Sequence, residues 1–204
     1  MIRLKMLVAG LFVGLLFTSS SVAQELLRNE VSLQGTGFLT KDSEGNGIRQ
    51  HTTDSGGLLF SHRYHFNRWL AVDGSYGYTR NTLQNFKSTG AFNIQANTHQ
   101  ITGALVVTSP RTYFGLSPYA LVGAGALTFD PITPTVGTFL FAELQTKTAF
   151  IYGGGADINL TRRFAFRFQY RGLVYKRPDF GLASLNSDAT THTAQPSAGF
   201  VIRF

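Results

Sequence analysis

The chain has 204 residues, a formal net charge of +7 and no cysteine. Its positive charge is modest and dispersed, without the Lys/Arg clusters that nucleic-acid binding requires, and this argues against nucleic acid as a partner. Without disulfides, the fold has to be held by packing and backbone pairing. The composition includes 18 Phe, 8 Tyr and 22 Gly, which favours strands over helices.

The N-terminal segment predicts a secretory signal peptide over residues 1–23. A basic start is followed by an uncharged apolar run, Met6 to Phe17, and by a small-x-small cleavage site, Ser21 to Ala23. The apolar run is too short to cross a bilayer core of about 30 Å. The mature chain, residues 24–204, has a length that suits one domain.

Beyond this segment, apolar and polar residues alternate with a period of two, which is typical of strands with one apolar face. The clearest case is FAFRFQYRGLVY, in which aromatic residues alternate with arginine, glutamine and alanine. In the YALVGAGALTF stretch, we expect the larger side chains Tyr119, Leu121, Leu127 and Phe129 to form the apolar outer face. The pattern predicts eight strands: Val31–Thr40, Phe60–Phe66, Trp69–Thr79, Gln100–Thr108, Tyr119–Phe129, Thr148–Ile158, Phe164–Tyr175 and Ala194–Phe204.

The connections between these strands alternate between short and long. Short ones lie near Asn67 and in the stretches SPRTYFGLSP and NLTRR. Alternation of tight turns with long polar loops is typical of outer-membrane barrels, in which the turns are periplasmic. The alternation of the sixth predicted strand, Thr148–Ile158, continues back to Leu140, which leaves open an earlier start of that strand. The AFNIQ stretch at Phe92 likewise leaves open an extension of the fourth strand through a bulge. The long connections are Lys41–Gly56, Arg80–Asn97, Asp130–Lys147 and Lys176–Thr193.

The polar faces of the predicted strands carry charges among small residues, which suits the narrow interior of an eight-stranded barrel. Turning Phe164–Tyr175 over would move Arg167 and Arg171 into lipid, at roughly 2–4 kcal/mol each. Strands span hydrocarbon only as closed barrels, because every backbone group must be paired there. We therefore predict an all-β fold, an eight-stranded antiparallel up-and-down transmembrane β-barrel. The predicted interior charges are Arg63, Asp73, Asp157, Arg167, Arg171 and Arg203.

Two interpretations of the interior charges remain open from the sequence. One is a proton or ion path through a narrow pore, and the other is a structural salt-bridge network that fills the interior and fixes strand register. We favour the network, because small barrels have filled interiors. Arg63 and Asp73 are a plausible pair, since a tight turn joins their strands. A secreted lipocalin-like barrel with an apolar ligand inside is a further alternative.

Taken together, the signal peptide, the aromatic-rich strands and the terminal SAGFVIRF resemble the small outer-membrane β-barrel family of OmpA/OmpX type. The stretch YGGGADINLTRRFAFRFQYRGLVYK is similar to the final strands of bacterial surface-antigen barrels. In the family, the barrel-assembly machinery reads a last strand that ends in an aromatic residue, so the resemblance implies such a signal at Phe200, Ile202 and Phe204. It also implies a monomer in the bacterial outer membrane, among outer-membrane lipid and lipopolysaccharide, that presents four external loops in a structural or surface-interaction role.

An alternative function is a lipid A or envelope-lipid modifying enzyme, because some small barrels act on lipid A. His51 and His192 lie in predicted long connections, near Asp54 and Ser55 in one case and Asp188 in the other, which fits a Ser/His/acid arrangement across loops. Such residues more often meet by coincidence in polar loops, so we predict no enzyme. No spacing indicates a metal site, and we expect no cofactor.

Overall fold

The computed structural model describes residues 27–40, 43–45, 48–52, 55–87, 90–132, 144–176, 178 and 190–204. The predicted signal peptide lies outside these residues. Within the described part of the chain, no helix has the length and apolar character needed to cross a membrane. The described secondary structure consists of ten strands: β1 (Asn29–Thr40), β2 (Ser43–Gly45), β3 (Ile48–Thr52), β4 (Ser55–His65), β5 (Leu70–Lys87), β6 (Gly90–Thr108), β7 (Leu116–Pro131), β8 (Gln145–Asn159), β9 (Phe164–Lys176) and β10 (Thr190–Arg203).

Eight of these strands form a closed ring in the order β1-β4-β5-β6-β7-β8-β9-β10, and every pairing is antiparallel. The pairing of β1 with β10 closes the ring between the first and last strands. All eight correspond to predicted strands, so the predicted fold class is confirmed. Short turns and both ends of the described chain lie at one end of the barrel, which we call the turn end; the opposite end is the loop end.

Two of the predicted long connections contain regular strand. β5 continues to Lys87 and β6 begins at Gly90, so most of the predicted loop Arg80–Asn97 is a hairpin that rises above the ring. Its register is continuous, without the bulge that the sequence suggested. The short strands β2 and β3 lie within the predicted loop Lys41–Gly56, and β3 pairs with the hairpin. Strands above the ring need no apolar face, so the period-two pattern that predicts strands is absent there.

Other boundaries also move toward the loop end. β8 begins at Gln145, three residues before the predicted start, and β10 begins at Thr190 rather than at Ala194. The earlier part of the possible extension of β8, at residues 140–143, lies outside the described residues. Polar residues dominate both extensions, so again no apolar face marks them in the sequence.

The predicted outer and inner faces are found in seven of the eight strands, and β7 is the exception. The large residues of β7 that we expected to face outward are buried inside, whereas Ala120, Val122 and Ala124 face outward. Leu127 and Phe129 belong to the apolar layer that fills the interior toward the loop end, whereas Tyr119 lies nearer the turn end, beside Arg63 and Arg167. The misassigned residues are Tyr119, Leu121, Leu127 and Phe129.

Tyr119 fits inside because of a glycine on the neighbouring strand. A Cβ atom built on Gly155 of β8 would lie 2.6 Å from the Tyr119 hydroxyl oxygen and would also clash with the Phe168 carbonyl. The glycines of β8 therefore leave room for a bulky ring from β7. This is a packing reason for glycine within a strand.

Candidate functional site: the charged interior

The candidate site is a layer of charged side chains inside the barrel, nearer to the turn end. Each of the charged residues singled out from the sequence points into the interior, and Arg63, Arg167 and Arg171 are no more than 1% exposed. A seventh residue, Glu30 of β1, joins them and is also buried. The layer thus consists of Glu30, Arg63, Asp73, Asp157, Arg167, Arg171 and Arg203.

Four of these residues form a closed ring of ion pairs across β1, β10, β9 and β8. Arg167 donates to both oxygens of Asp157 and to Glu30 Oε2, and each of these distances is 2.7 Å. Arg203 donates to Glu30 Oε1 at 2.7 Å and to Asp157 Oδ2 at 2.9 Å. Each carboxylate is therefore bound by both arginines. Strand register makes this possible, because Glu30 lies opposite Arg203, and Asp157 lies opposite Arg167.

A second group is centred on Asp73 of β5. Arg63, its register partner on β4, donates from Nε to Asp73 Oδ2 at 3.2 Å, so the pair that the tight turn suggested is in contact. Arg171 reaches from β9, on the opposite side of the ring of strands, and donates to Asp73 Oδ1 at 3.1 Å. The same guanidinium also donates to Ser75 and Thr102. This group therefore links opposite walls of the barrel.

Tyr119 connects the two groups. Its ring centre lies 4.3 Å from the guanidinium carbon of Arg63 and 5.2 Å from that of Arg167. Guanidinium groups stack favourably on aromatic faces. The Tyr119 hydroxyl lies 2.7 Å from the Gln169 side chain. The ring therefore separates two like charges while it contacts both.

A further bridge crosses the interior toward the loop end. The amides of Gln100 on β6 and Gln195 on β10 donate to each other at 3.0 and 3.3 Å. These strands are also on opposite sides of the ring. Reciprocal amide pairing satisfies buried polar groups that would otherwise be costly.

Sequence reasoning missed Glu30 and Tyr119. Glu30 precedes the predicted start of the first strand by one residue, although its parity with Ser32 and Gln34 indicates the inner face. Tyr119 was assigned to the outer face by its size. If the first strand had been started one residue earlier, alternation would have placed Glu30 on the inner face. The sequence carries no clear signal for the position of Tyr119.

The histidines do not converge on one site. His192 lies in β10 on the outer wall, with Nε2 at 2.8 Å from the Tyr152 hydroxyl. His51 lies in β3, and Asp54 and Asp188 lie outside the described residues. His65 points inward, with Nε2 at 3.2 Å from Glu30 Oε1.

The described residues include no group of His, Asp and Glu side chains that is arranged to hold a metal ion. The chemistry of the interior layer, as far as its geometry shows, is charge pairing between strands. Buried ion pairs of this kind often add little net stability, because the cost of desolvating the charges offsets their attraction.

A closed antiparallel barrel with an apolar outer wall and a charged interior defines a transmembrane β-barrel protein. Its residues 9–204 match the family described as the outer membrane protein beta-barrel domain, and the chain belongs to this family. The protein is therefore located in the bacterial outer membrane, and the predicted family and location are confirmed. No curated protein matches the chain.

Solved structures of outer-membrane proteins share this fold. OprG from Pseudomonas aeruginosa is 14% identical with a TM-score of 0.62, and the alignment covers 86% of this chain and 95% of OprG. Neisserial surface protein A is 14% identical with a TM-score of 0.58, covering 86% and 97% of the two chains. AlkL, determined in lipid bilayers, is 16% identical with a TM-score of 0.56, covering 92% and 95%. At these identities the likeness concerns the fold alone.

Proposed function

We propose that the protein is a non-enzymatic structural barrel with a closed interior, which presents its external loops for surface interaction and contributes to envelope integrity. The observation that carries the closed interior is the pair of bridges between opposite walls, Arg171 to Asp73 and Gln100 to Gln195. An eight-stranded barrel is only wide enough for side chains to fill it. A hydrated ion would have to displace paired, desolvated charges to pass.

The outer wall supports the proposed contact with outer-membrane lipid and lipopolysaccharide. Toward the loop end, Tyr78 and Arg80 both donate to Asn97 Oδ1, at 3.0 and 3.2 Å. The Tyr76 hydroxyl lies 2.7 Å from His99 Nδ1 on the same wall. Aromatic residues with polar tips are typical of membrane interfaces, where one end of the side chain is apolar and the other is hydrated.

Current recordings in planar bilayers test the closed interior. We expect the wild-type barrel to show no unitary conductance under applied voltage. The comparison variant is Arg171→Ser, which removes the bridge from β9 to Asp73 while Asp73 keeps Arg63 as its partner. We expect this variant to admit small, brief currents. Stable ohmic current steps from the wild-type protein would contradict the closed interior and would indicate a narrow pore instead.

A further inference from the structure

A cavity of about 330 Å³ opens at the turn end of the barrel, below the charged layer. This volume falls within the range of small-molecule sites. Its wall includes four arginines, contributed by the segment just before β1, by β4, by the β4–β5 turn and by β10: Arg28, Arg63, Arg68 and Arg203. We call this cavity the turn-end cavity.

Positive charge exceeds negative charge around the turn-end cavity. Its lining carboxylates are Glu30 and Asp157, and both are already bound by Arg167 and Arg203. The three short turns at this end, residues 66–69, 109–115 and 160–163, contain four arginines and no carboxylate. A cleft with charge of one sign and low-dielectric walls concentrates counter-ions of the other sign. The turn-end cavity therefore attracts anions.

Unsatisfied polar atoms occur in the same wall. Arg63 Nη2 and Thr108 Oγ1 are buried and have no hydrogen-bond partner in the described part of the chain, and both residues line the turn-end cavity. Arg63 is only 1% exposed, so its free N–H groups are held in place rather than solvated. Buried polar groups are normally paired, so an unpaired one in a cavity wall is a group to which a bound ligand can hydrogen-bond.

Local turn geometry fixes the mouth of the turn-end cavity. The Asn67 side-chain oxygen accepts hydrogen bonds from the backbone N–H groups of Trp69 and Leu70, at 2.9 and 2.8 Å. This Asx-type turn holds the backbone around Arg68 in one conformation. Ser109 of the β6–β7 turn, Ser117 at the start of β7 and Asn159 at the end of β8 also line the turn-end cavity and supply neutral hydrogen-bonding groups.

We propose that the turn-end cavity binds a small oxyanion, a phosphate or carboxylate group, with Arg68 as the principal contact at the mouth. The planar guanidinium group can donate to two oxygens of a carboxylate or a phosphate at once and forms strong charge-assisted hydrogen bonds with them. The turn end of outer-membrane barrels faces the periplasm, so the ligand comes from that side. This inference goes beyond the proposed structural role and does not depend on a closed interior.

NMR titration of the protein in zwitterionic nanodiscs tests the site. Inorganic phosphate, added at constant ionic strength, should produce saturable shifts of the backbone amides at the cavity mouth. Arg68→Gln should weaken phosphate binding roughly tenfold, because a charge-assisted hydrogen bond is lost. The matched control is Arg162→Gln, an exposed arginine of the β8–β9 turn that does not line the turn-end cavity; it should leave the affinity unchanged.

Three results would overturn the proposal: no saturable shifts, equal weakening by the two variants, or no effect of Arg68→Gln. Equal weakening of phosphate binding by the two variants would show that the overall positive charge of the turn end attracts phosphate and that the cavity is not a specific site. Separate titrations with citrate, and nanodiscs that contain phosphatidylglycerol, identify the source of the oxyanion. If phosphatidylglycerol competes with phosphate, the site is supported and its ligand is a lipid headgroup. If only citrate competes with phosphate, the site is supported and its ligand is a soluble anion.

Discussion

Phe114 combines two unfavourable properties in the turn between β6 and β7. Its φ is +50°, a conformation that residues with a Cβ rarely adopt, and its side chain is fully exposed. Gly115 follows with φ +81°, and Tyr113 and Leu116 exchange both backbone hydrogen bonds around the pair. Two central residues with positive φ are typical of a type I′ hairpin turn, in which Asn-Gly is preferred.

Phe114→Asn should raise the free energy of unfolding by about 1 kcal/mol, because asparagine tolerates the left-handed conformation better than phenylalanine. Urea unfolding in lipid vesicles measures this change. Phe114→Ala is the matched control: it removes the exposed ring but keeps the backbone cost, so we expect no comparable gain. Equal gains in both variants would assign the effect to the ring.

Arg167 is the residue on which the interior ion pairs most depend. It is fully buried and binds two carboxylates whose other arginine partners are Arg203 and the more distant Arg63. Arg167→Gln should therefore destabilise the barrel by about 3–5 kcal/mol, because it leaves buried negative charge uncompensated. The exposed Arg163 in the β8–β9 turn provides a control, since its replacement by glutamine should stay within about 0.5 kcal/mol. A similarly small effect at Arg167 would mean that water solvates the interior carboxylates.

At the scale of the element, the faces of a strand were predictable where charged or hydrogen-bonding side chains mark its inner face. The faces of β4, β5 and β9 follow from Arg63, Asp73 and Arg167, because each of these charges is tolerated only inside. The predicted fifth strand, Tyr119–Phe129, contains no charged residue, so both of its faces are apolar and side-chain size was a misleading guide. Its orientation depends on the glycines of β8, a contact between strands that the pattern within one strand does not contain.

Gly155→Ala tests that contact. The added methyl group would lie 2.6 Å from the Tyr119 hydroxyl oxygen and would also meet the Phe168 carbonyl, so the strand or the ring must move. We expect destabilisation of about 1–3 kcal/mol, the usual cost of overpacking. The matched control is Gly103→Ala in β6, where the new Cβ has no neighbour within 4 Å. If both variants unfold at the same urea concentration, Gly155 is not required to accommodate Tyr119.

At the scale of the whole molecule, the barrel is closed by its first and last strands. β1 pairs with β10 from Glu30–Arg203 through Thr40–Thr193, and the backbone groups of Asn29 and Phe204 bond to each other beyond the last register pair. Closure therefore has to wait until the C-terminal strand has been made. The last strand can therefore act in two ways that an experiment can distinguish. It contributes to the stability of the closed barrel, and we propose that the assembly machinery recognises it through Phe200, Ile202 and Phe204.

Phe204→Ala separates these two roles. Phe204 is 45% exposed on the outer wall, and Phe164 of β9, near the same end, is 50% exposed, so Phe164→Ala removes a similar aromatic surface outside the last strand. We expect Phe204→Ala to lower the amount of folded protein in the outer membrane several-fold, measured as the heat-modifiable band on unboiled gels, while Phe164→Ala has little effect. Both variants should fold alike into lipid vesicles without the assembly machinery, because the apolar area lost is similar. A matching defect of Phe204→Ala in vesicles would instead make the terminal ring a stability element of the β1–β10 closure.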